Sequence, residues 1–336
     1  MKEQLEKVIS GVDLSYDEAH QVMLKIMSGE VNNSQIAAYL TALKSKGEHF
    51  HEIAGSARAM RDKSLKIKSI SNDPVVDVCG TGGDESGTFN ISTAVAFVIA
   101  GAGVKVAKHC NRSISSKSGS ADVLRELGVN ISLPAKDSEK ALHEVGITFL
   151  FAPEYHPAMK YVAPVRQELA MKTIFNVLGP LTNPAGAQRQ IIGTFNNQVA
   201  EKMVKALEYL EMEKVCFLCT DDRFDEITLT GPTQVYEYTL EEIKNYTLNF
   251  EDYGYPVVKI EDLSGDTPEH NAGLVKEVFT SGKKDAKFYV TAANAAVGLY
   301  VAGYSDSVKE CLMAAENSLL NGKADQKLAE LVKFGK

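Results

Sequence analysis

The sequence contains no apolar run long enough to cross a membrane. Its longest run, from Ala94 to Val104, has 11 residues and includes two glycines, whereas a membrane-spanning helix needs about 20 apolar residues. The run therefore predicts the end of a buried helix. The N-terminal residues also lack the pattern of a signal peptide, in which positive charge precedes an apolar stretch. No membrane partner is predicted.

Blocks of basic residues are also missing. The chain has 36 Lys and Arg residues against 44 Asp and Glu residues, which gives a formal net charge of −8. Proteins that bind nucleic acid through its phosphates need a basic stripe that displaces counterions. The composition therefore argues against a nucleic-acid partner, and the acidic excess favours solubility.

The five cysteines lack the spacing of a disulfide framework, which predicts reduced thiols and a cytoplasmic protein. Cys216 and Cys219 have the spacing of a redox or zinc pair, but they fall in an apolar stretch that we predict to be a strand. Residues three apart on a strand point to opposite faces. This pair therefore cannot easily share a metal or a disulfide.

Helical periodicity marks the first part of the 336-residue chain. Residues 1–70 are predicted to form a small all-helical domain, because apolar residues recur at helical spacing in two stretches. The recurring residues are Val22, Ile26 and Met27 in the first stretch and Ile36, Tyr39, Leu40 and Leu43 in the second. Asn33-Ser34 is the predicted N-cap of the second helix and Gly47 its C-cap. Residues 53–60 are predicted to form a third, short helix.

From Asp73-Pro74 onward, short apolar stretches alternate with helical ones. The predicted strands are residues 75–78, 104–107, 130–133, 147–151, 190–195 and 215–219, and the predicted helices are residues 93–100, 120–127, 137–145 and 198–209. This alternation predicts an α/β fold with a mainly parallel sheet covered on both faces.

One segment of the chain, about residues 155–185, departs from this alternation. Pro157 is predicted to open a long helix, and Gly179-Pro180 to end the segment. We expect the inserted segment, about 160–185, to rejoin the helical domain. The larger α/β domain then comprises residues 71–159 and 186–336.

A glycine loop follows the first predicted strand. Gly80-Thr81-Gly82-Gly83-Asp84 comes directly after Cys79, and Asn90-Ile91-Ser92-Thr93 then opens a helix. Glycines and a helix N-terminus together offer inward-pointing amides and positive partial charge, which suit a phosphate. The order matches neither a P-loop nor a dinucleotide fingerprint. From these residues alone, an ordinary glycine-rich turn with a capped helix remains the alternative.

A second polar loop follows the next predicted strand. Lys108-His109-Cys110-Asn111-Arg112 leads into residues 113–120, which are rich in serine. Parallel strands end at a common edge where ligands bind, so Lys108, Arg112 and Ser120 are expected to face the glycine loop. Two cations and an amide nest suit a ligand that carries a diphosphate and a further phosphate. A solvated loop is the alternative for each residue.

An acidic pair, Asp225-Glu226, follows the strand at 215–219 in a polar loop. Such pairs usually lie at the surface without a ligand. A diphosphate ligand changes that expectation, because Mg²⁺ is often held by one or two carboxylates together with substrate phosphates.

Read in order, these segments resemble the anthranilate phosphoribosyltransferase family. The resemblance rests on residues 77–84, 90–93, 108–112, 118–124, 156–160 and 176–184, with the helical stretch 36–47 as further support. It implies transfer of a phosphoribosyl group from 5-phosphoribosyl 1-diphosphate to the amine of anthranilate, a step of tryptophan biosynthesis. It also implies the nucleoside phosphorylase/phosphoribosyltransferase type of fold, Mg²⁺ as cofactor, and a homodimer joined through the helical domains.

The resemblance further implies roles for individual residues. Donor binding is implied for Gly80, Gly83, Asp84, Thr88, Asn90, Ile91, Ser92, Thr93, Lys108, His109, Arg112, Ser116 and Ser120. Anthranilate binding is implied for Gly80, Asn111 and Arg166, metal binding for Ser92, Asp225 and Glu226, and a direct part in catalysis for Arg166, Asn111 and Lys108. A guanidinium suits the acceptor's carboxylate because it can bind it bidentately.

Three residues depart from the family's usual pattern. Cys110 stands where glycine is common, and Ala170 and Lys172 stand where glycine and arginine are familiar. If the backbone at Cys110 required a positive φ, its side chain would restrict the loop. Two rival functions stay open: a pyrimidine nucleoside phosphorylase-like enzyme and a non-catalytic nucleic-acid-binding paralogue. The glycine loop and the acidic pair favour a diphosphate donor over free phosphate.

Overall fold

The computed structural model describes residues 1–68, 73–84, 86–112 and 118–336. Its N-terminal part is helical, with α1 (Lys2–Ile9), α2 (Tyr16–Met27), α3 (Asn33–Lys46) and α4 (Phe50–Lys63). The prediction of a helical start is confirmed, and Gly47 ends α3 with φ 87°. The predicted N-cap of α3 was one residue late, because the side chain of Asn32 accepts the N–H of Gln35. α1 was not predicted.

The rest of the chain is built on a sheet of seven described strands. They are β1 (Val75–Gly80), β2 (Lys105–Cys110), β3 (Ile147–Phe151), β4 (Arg189–Gly193), β5 (Lys214–Thr220), β6 (Thr233–Thr239) and β7 (Ile243–Leu248). Their order is β3-β2-β1-β4-β5-β6-β7. β1 to β5 are parallel and β6 and β7 antiparallel. The mainly parallel sheet is confirmed, whereas the strand predicted at 130–133 is absent from that described stretch.

Helices cover both faces of the sheet. They are α5 (Ile91–Gly101), α6 (Ser120–Glu126), α7 (Ala135–Glu144), α8 (Ala152–Tyr155), α9 (Ala163–Leu169), α10 (Phe175–Leu178), α11 (Asn197–Ala206), α12 (Pro268–Thr280), α13 (Ala286–Ala302), α14 (Val308–Leu320) and α15 (Lys323–Phe334). α5 is the apolar helix expected from the sequence, and it is buried between the sheet and α13, α14 and α15. Within the described ranges, no helix is long and apolar enough to cross a membrane.

The inserted segment is broken rather than one long helix. A 3-10 turn at Pro157–Tyr161 leads into α9, and α10 continues into a second 3-10 turn at Gly179–Thr182. The prediction of a single helix was wrong, because Pro164 lacks the N–H that a continuous helix would need and Ala170 turns to φ 47°. Val162, Ile174 and Leu178 share one buried core with α2, α3 and α4.

The backbone of Ala170 is strained, and this strain can be tested. It ends α9 in the left-handed region at φ 47°, where a Cβ costs about 1–2 kcal/mol and glycine costs almost nothing. We expect Ala170→Gly to raise the free energy of unfolding by about 0.5–1 kcal/mol after the entropy that glycine adds to the unfolded chain. Urea melts measure it. The control Ala329→Gly, on the exposed face of α15, should instead lower the free energy of unfolding by about 1 kcal/mol. If both substitutions lower the free energy of unfolding, Ala170 is not strained.

All five cysteines are free thiols. Cys216 packs in the core on one face of the sheet with Leu218, and Phe217 packs in the core on the other face. Cys219, two residues from Phe217, therefore points away from Cys216. The prediction that the two side chains point to opposite faces of a strand agrees with the structure.

Candidate functional site

A cleft of about 990 Å³ opens at the carboxyl edge of the parallel strands, facing the inserted segment. It gathers most of the residues singled out from the sequence. Those that line it are Gly80, Gly83, Asp84, Thr88, Asn90, Ile91, Ser92, Lys108, His109, Asn111, Arg112, Ser120, Arg166, Asp225 and Glu226. Thr93 is not among them, because its side chain is fully buried and its N–H donates to the Asn90 carbonyl. Ser116 lies outside the described residues.

The glycine loop turns back on itself immediately after β1. Gly82 and Gly83 have φ values of 64° and 77°, a conformation that residues with a Cβ rarely adopt. The turn aims the N–H of Gly82 at the Asp225 carboxylate, 2.8 Å from Oδ2. One amide of the expected phosphate nest therefore already holds an acidic side chain, and this contact fixes the loop against Asp225.

Two glycines at neighbouring strand ends make room for that acidic residue. Gly80 ends β1, Gly193 ends β4, and the two are paired in register. A Cβ on Gly80 would lie 2.7 Å from Asp225 Oδ2, and one on Gly193 would lie 1.5 Å from the Asp225 carbonyl oxygen. Sequence reasoning missed Gly193, which falls inside the strand predicted at 190–195 and instead ends β4.

Asp225 and Glu226 line the cleft rather than the outer surface. Burial and the neighbouring Asp84, which hydrogen-bonds to Asp225, raise the pKa of the Asp225 carboxyl. Burial and Asp225 raise the pKa of the Glu226 carboxyl, which Lys108 partly offsets. The negative charges of Asp84, Asp225 and Glu226 repel one another, so the site favours a further positive charge.

Lys108 is the internal cation of the site. It is only 2% exposed, and its ammonium donates to the Val78 carbonyl and to Ser92 Oγ, the latter at 3.2 Å. The sequence predicted that Lys108 would face a ligand across the cleft. Its ammonium instead lies beneath the first turn of α5, bonded to these two protein oxygens. Burial raises the pKa of the Asp77 carboxyl, and Lys108 partly offsets that shift.

Described residues on either side of 113–117 bond to one another through polar groups. Asn111 Oδ1 accepts the N–H of Arg112 at 2.8 Å, and Ser120 Oγ donates to the Asn111 carbonyl at 3.1 Å. The Arg112 guanidinium lies 5.7 Å from the centre of the Phe151 ring. Cys110 lies within β2, paired with Phe151. Its φ is not positive, so the thiol side chain does not strain the loop.

Two buried imidazoles, those of His109 and His156, are among the groups that line the cleft. The rings of His109 and His156 lie 5.1 Å apart, and His109 Nδ1 contacts the Gly179 carbonyl oxygen at 3.1 Å. That contact makes Nδ1 the donor, so Nε2 carries the lone pair. Burial lowers the pKa of His109 to about 4 and that of His156 to about 3.

These two histidines predict a loss of stability in mild acid. Histidine in the unfolded chain titrates near 6.5, so as pH falls the unfolded state takes up protons before the folded state. The stabilisation is full above about pH 6.5 and is lost towards pH 4, at about 2 kcal/mol for each histidine by pH 5. Urea melts at pH 8 and pH 5 measure the slope. His156→Gln should flatten it and exposed His143→Gln should not; an unchanged slope in His156→Gln would contradict the prediction.

Two cations of the inserted segment, Arg166 and Lys172, lie in different places. Arg166, on α9, lines the cleft 5.3 Å from the centre of the Phe175 ring, and burial lowers the pKa of its guanidinium. Lys172 donates to the Gly83 carbonyl and lies 4.5 Å from the centre of the Phe195 ring. The lysine that departs from the familiar arginine therefore joins the inserted segment to the glycine loop.

Comparison with known proteins places the chain in a class. Residues 72–325 match the glycosyl transferase family a/b domain, and residues 2–64 match the helical bundle domain of the same family. The chain belongs to this glycosyl transferase family, whose helical bundle and a/b domains correspond to the two parts of the fold.

Full-length relatives narrow the class. The chain is 44% identical to an anthranilate phosphoribosyltransferase of Desulfatibacillum aliphaticivorans, over 99% of this chain and 98% of that protein. It is 45% identical to the one from Moorella thermoacetica, over 99% and 97%. The chain therefore belongs to the anthranilate phosphoribosyltransferase family, as its motifs predicted.

Solved structures agree with this assignment. The crystal structure of the anthranilate phosphoribosyltransferase from Thermus thermophilus superposes with a TM-score of 0.92 at 40% identity, covering 98% of both chains. The enzyme from Saccharomyces cerevisiae in complex with PRPP and Mg superposes with a TM-score of 0.89 at 26% identity, covering 98% of this chain and 96% of that one.

Proposed function

We propose that the chain transfers the phosphoribosyl group of 5-phosphoribosyl 1-diphosphate to the amine of anthranilate. The bond from C1 of the ribose to nitrogen forms, the bond from C1 to the diphosphate oxygen breaks, and diphosphate leaves. The observation that carries the proposal is a single cleft with two unlike sides. One side holds the glycine loop and the acidic pair, and the other holds Arg166 on the inserted segment.

The donor is proposed to lie along the edge of β1 and β2. Backbone amides of the glycine loop and the first turn of α5 would meet the diphosphate, with Thr88, Asn90 and Ser92 as side-chain contacts. Arg112 and Ser120 would meet the remaining phosphate. These groups are held in place before the reaction, so they can stabilise charge that grows on the leaving group without reorganising.

The acidic residues fit a magnesium ion. Within the described ranges, no three His, Cys, Asp or Glu side chains form a ready-made metal cluster, but Mg²⁺ often takes only one or two carboxylates and draws further ligands from substrate phosphates. Burial and neighbouring carboxylates raise the pKa of Asp225 and Glu226, and a bound cation would stabilise their ionised forms. We propose Asp225, Glu226 and Ser92 as its protein ligands. Bound magnesium would offset charge on the departing diphosphate.

Anthranilate is proposed to bind between Asn111, Gly80 and Arg166, with its carboxylate on the guanidinium. Its amine already carries a lone pair, so a strong general base is not needed. His109 lines the cleft, but its Nε2 is buried and burial lowers its pKa to about 4, so we assign it no part in proton transfer.

Arg166 tests the acceptor side separately from the donor side. We expect Arg166→Ala to raise the KM for anthranilate by about 10–10²-fold, because a charge-assisted bidentate contact is lost, and to leave the KM for the donor nearly unchanged. Steady-state kinetics with each substrate varied measures both. Arg166→Lys keeps the charge without the fork and should fall between. Equal losses for both substrates would remove Arg166 from the acceptor site.

A direct assay tests the reaction itself. The chain is mixed with anthranilate, the donor and Mg²⁺, and the loss of anthranilate fluorescence is followed. Turnover that requires all three supports the proposal. The absence of turnover under these conditions, with phosphorolysis of a pyrimidine nucleoside instead, would favour the nucleoside phosphorylase reading.

We also propose a homodimer joined through the helical domain. Ile9 and Val12 are 66% and 51% exposed beside a groove of about 550 Å³ between α1 and α3. Val8, Ala37 and Ala42 line this groove, so a second copy would cover an apolar surface. Light scattering after size-exclusion chromatography should give twice the mass of 36.5 kDa, and Ile9→Glu should shift it towards the monomer. A monomeric wild-type chain would overturn the dimer.

A further inference from the structure

Residues 87–90, which lie between the glycine loop and α5, are hydrogen-bonded to a segment, residues 263–266, that none of the sequence motifs includes. The N–H of Gly265 donates to the Gly87 carbonyl and the N–H of Phe89 to the Leu263 carbonyl, each at 2.8 Å. Thr88 and Ser264 form an antiparallel bridge between the two pairs. Residues 263–266 therefore hold the loop 87–90 as a short extra strand would.

One buried side chain extends these contacts into the cleft. Asn271, on α12, is 2% exposed and lines the cleft. Its Oδ1 accepts the N–H of Asp266 at 2.8 Å, and its Nδ2 donates to Asn90 Oδ1 at 3.0 Å. Gly265 leaves the space for this amide, since a Cβ there would lie 2.6 Å from Asn271 Oδ1.

These two bonds fix the polarity of both amides. A backbone N–H can only donate, so the oxygen of Asn271 must face Asp266 and its NH₂ group must face Asn90. The side-chain oxygen of Asn90 must therefore accept the hydrogen bond from Asn271, and it also accepts one from Ser118 Oγ at 3.4 Å. The NH₂ group of Asn90 is left for the cleft, where among the described residues no acceptor holds it. An anionic ligand needs a donor there, and the reversed amide would present an oxygen.

We propose that Asn271 is a positioning residue for donor binding: through its amide it turns the NH₂ group of Asn90 towards the phosphoribosyl donor. This rests on the proposed function, in which Asn90 meets that donor. Asn271 itself does not touch the reacting atoms. Its effect should reach donor affinity only through Asn90, and a merely structural contact would not have that property.

The test is a double-mutant cycle on donor affinity. Binding of 5-phosphoribosyl 1-diphosphate with Mg²⁺ is measured by calorimetry for wild type, Asn271→Ala, Asn90→Ala and the double variant. We expect Asn271→Ala to weaken donor binding about tenfold, the value of one oriented hydrogen bond. In the Asn90→Ala background the same change should have almost no effect, because no amide remains to be oriented. His270→Ala, the exposed neighbour on α12, should match wild type.

The outcomes separate this inference from the proposed function. If Asn90→Ala leaves donor binding intact, Asn90 has no donor contact and the donor site is assigned wrongly. If Asn90→Ala weakens binding but Asn271→Ala does not, or if the two losses simply add, the positioning role is overturned while the donor site stands. Should Asn271→Ala fail to melt cooperatively, Asn271→Asp takes its place, because it keeps the oxygen for Asp266. Any repulsion of the donor by the new carboxylate would persist without Asn90, whereas the positioning effect would not.

Discussion

Gly193→Ala should abolish turnover, although Gly193 lies beneath the surface of the cleft. A Cβ there would stand 1.5 Å from the Asp225 carbonyl oxygen, the length of a covalent bond, and the obstacle is backbone that cannot rotate away. The loop with Asp225 and Glu226 must shift, and a misplacement of 1 Å in a catalytic group costs about 10²-fold or more. Overpacking should also lower the free energy of unfolding by about 1–3 kcal/mol.

Thermal melts and kinetics on the same preparation measure both effects. Gly273→Ala is the matched control, because it lies on the exposed face of α12 with no atom near its Cβ position. That change should preserve turnover and stabilise the helix by about 0.5–1 kcal/mol. A Gly193→Ala variant with wild-type turnover would show that the acidic loop does not need its place against β4.

Asp225→Asn should make the metal-free chain more stable and the enzyme inactive. The pKa of the Asp225 carboxyl is raised by burial and by Asp84, so its ionised form is disfavoured in the folded state. A carboxyl with a raised folded-state pKa loses stability as pH rises above its unfolded value of about 4. Asparagine removes that cost and still accepts the N–H of Gly82. Loss of one electrostatic stabiliser should lower turnover by about 10²–10³-fold.

Thermal melts at pH 8 with and without Mg²⁺ measure the stability of each variant and its response to the metal. Wild type should melt at a higher temperature with the metal, and Asp225→Asn should be insensitive to it. Asp222→Asn is the control: it lies in the same loop, exposed and at φ 51°, and accepts the N–H of Asn197 at 2.7 Å. It should keep both turnover and the response to metal. An Asp225→Asn variant that Mg²⁺ still stabilises would move the proposed metal site elsewhere.

Local pattern was enough to predict most of the sheet. β1, β3, β4 and β5 are short β-branched or apolar runs, and α5 is an apolar helix opened by Asn90. Since parallel strands end at one edge, the loops after β1 and β2 could be brought together without knowing any contact. The site could be predicted because its chemistry follows the strand ends.

Other features depend on contacts between distant segments. The break at Ala170, the commitment of Lys108 to Val78 and the slot for Asp225 at Gly193 all follow from tertiary packing. The hydrogen bond from Asn271 to Asn90 joins residues 181 positions apart. No periodicity marks such pairs, because each partner alone is an ordinary glycine, asparagine or lysine.

The composite core of the helical part sets the order in which the chain can fold during synthesis. α2, α3 and α4 leave the ribosome first, but Val162, Ile174 and Leu181, which fill the same core, emerge only after β1, β2 and β3. Domains that are continuous in sequence can fold from the N-terminus as they appear. Here the apolar faces of α2, α3 and α4 stay exposed to water until the inserted segment, which is synthesised after β1, β2 and β3, can pack against them. A nascent chain released before residue 181 therefore has neither part complete.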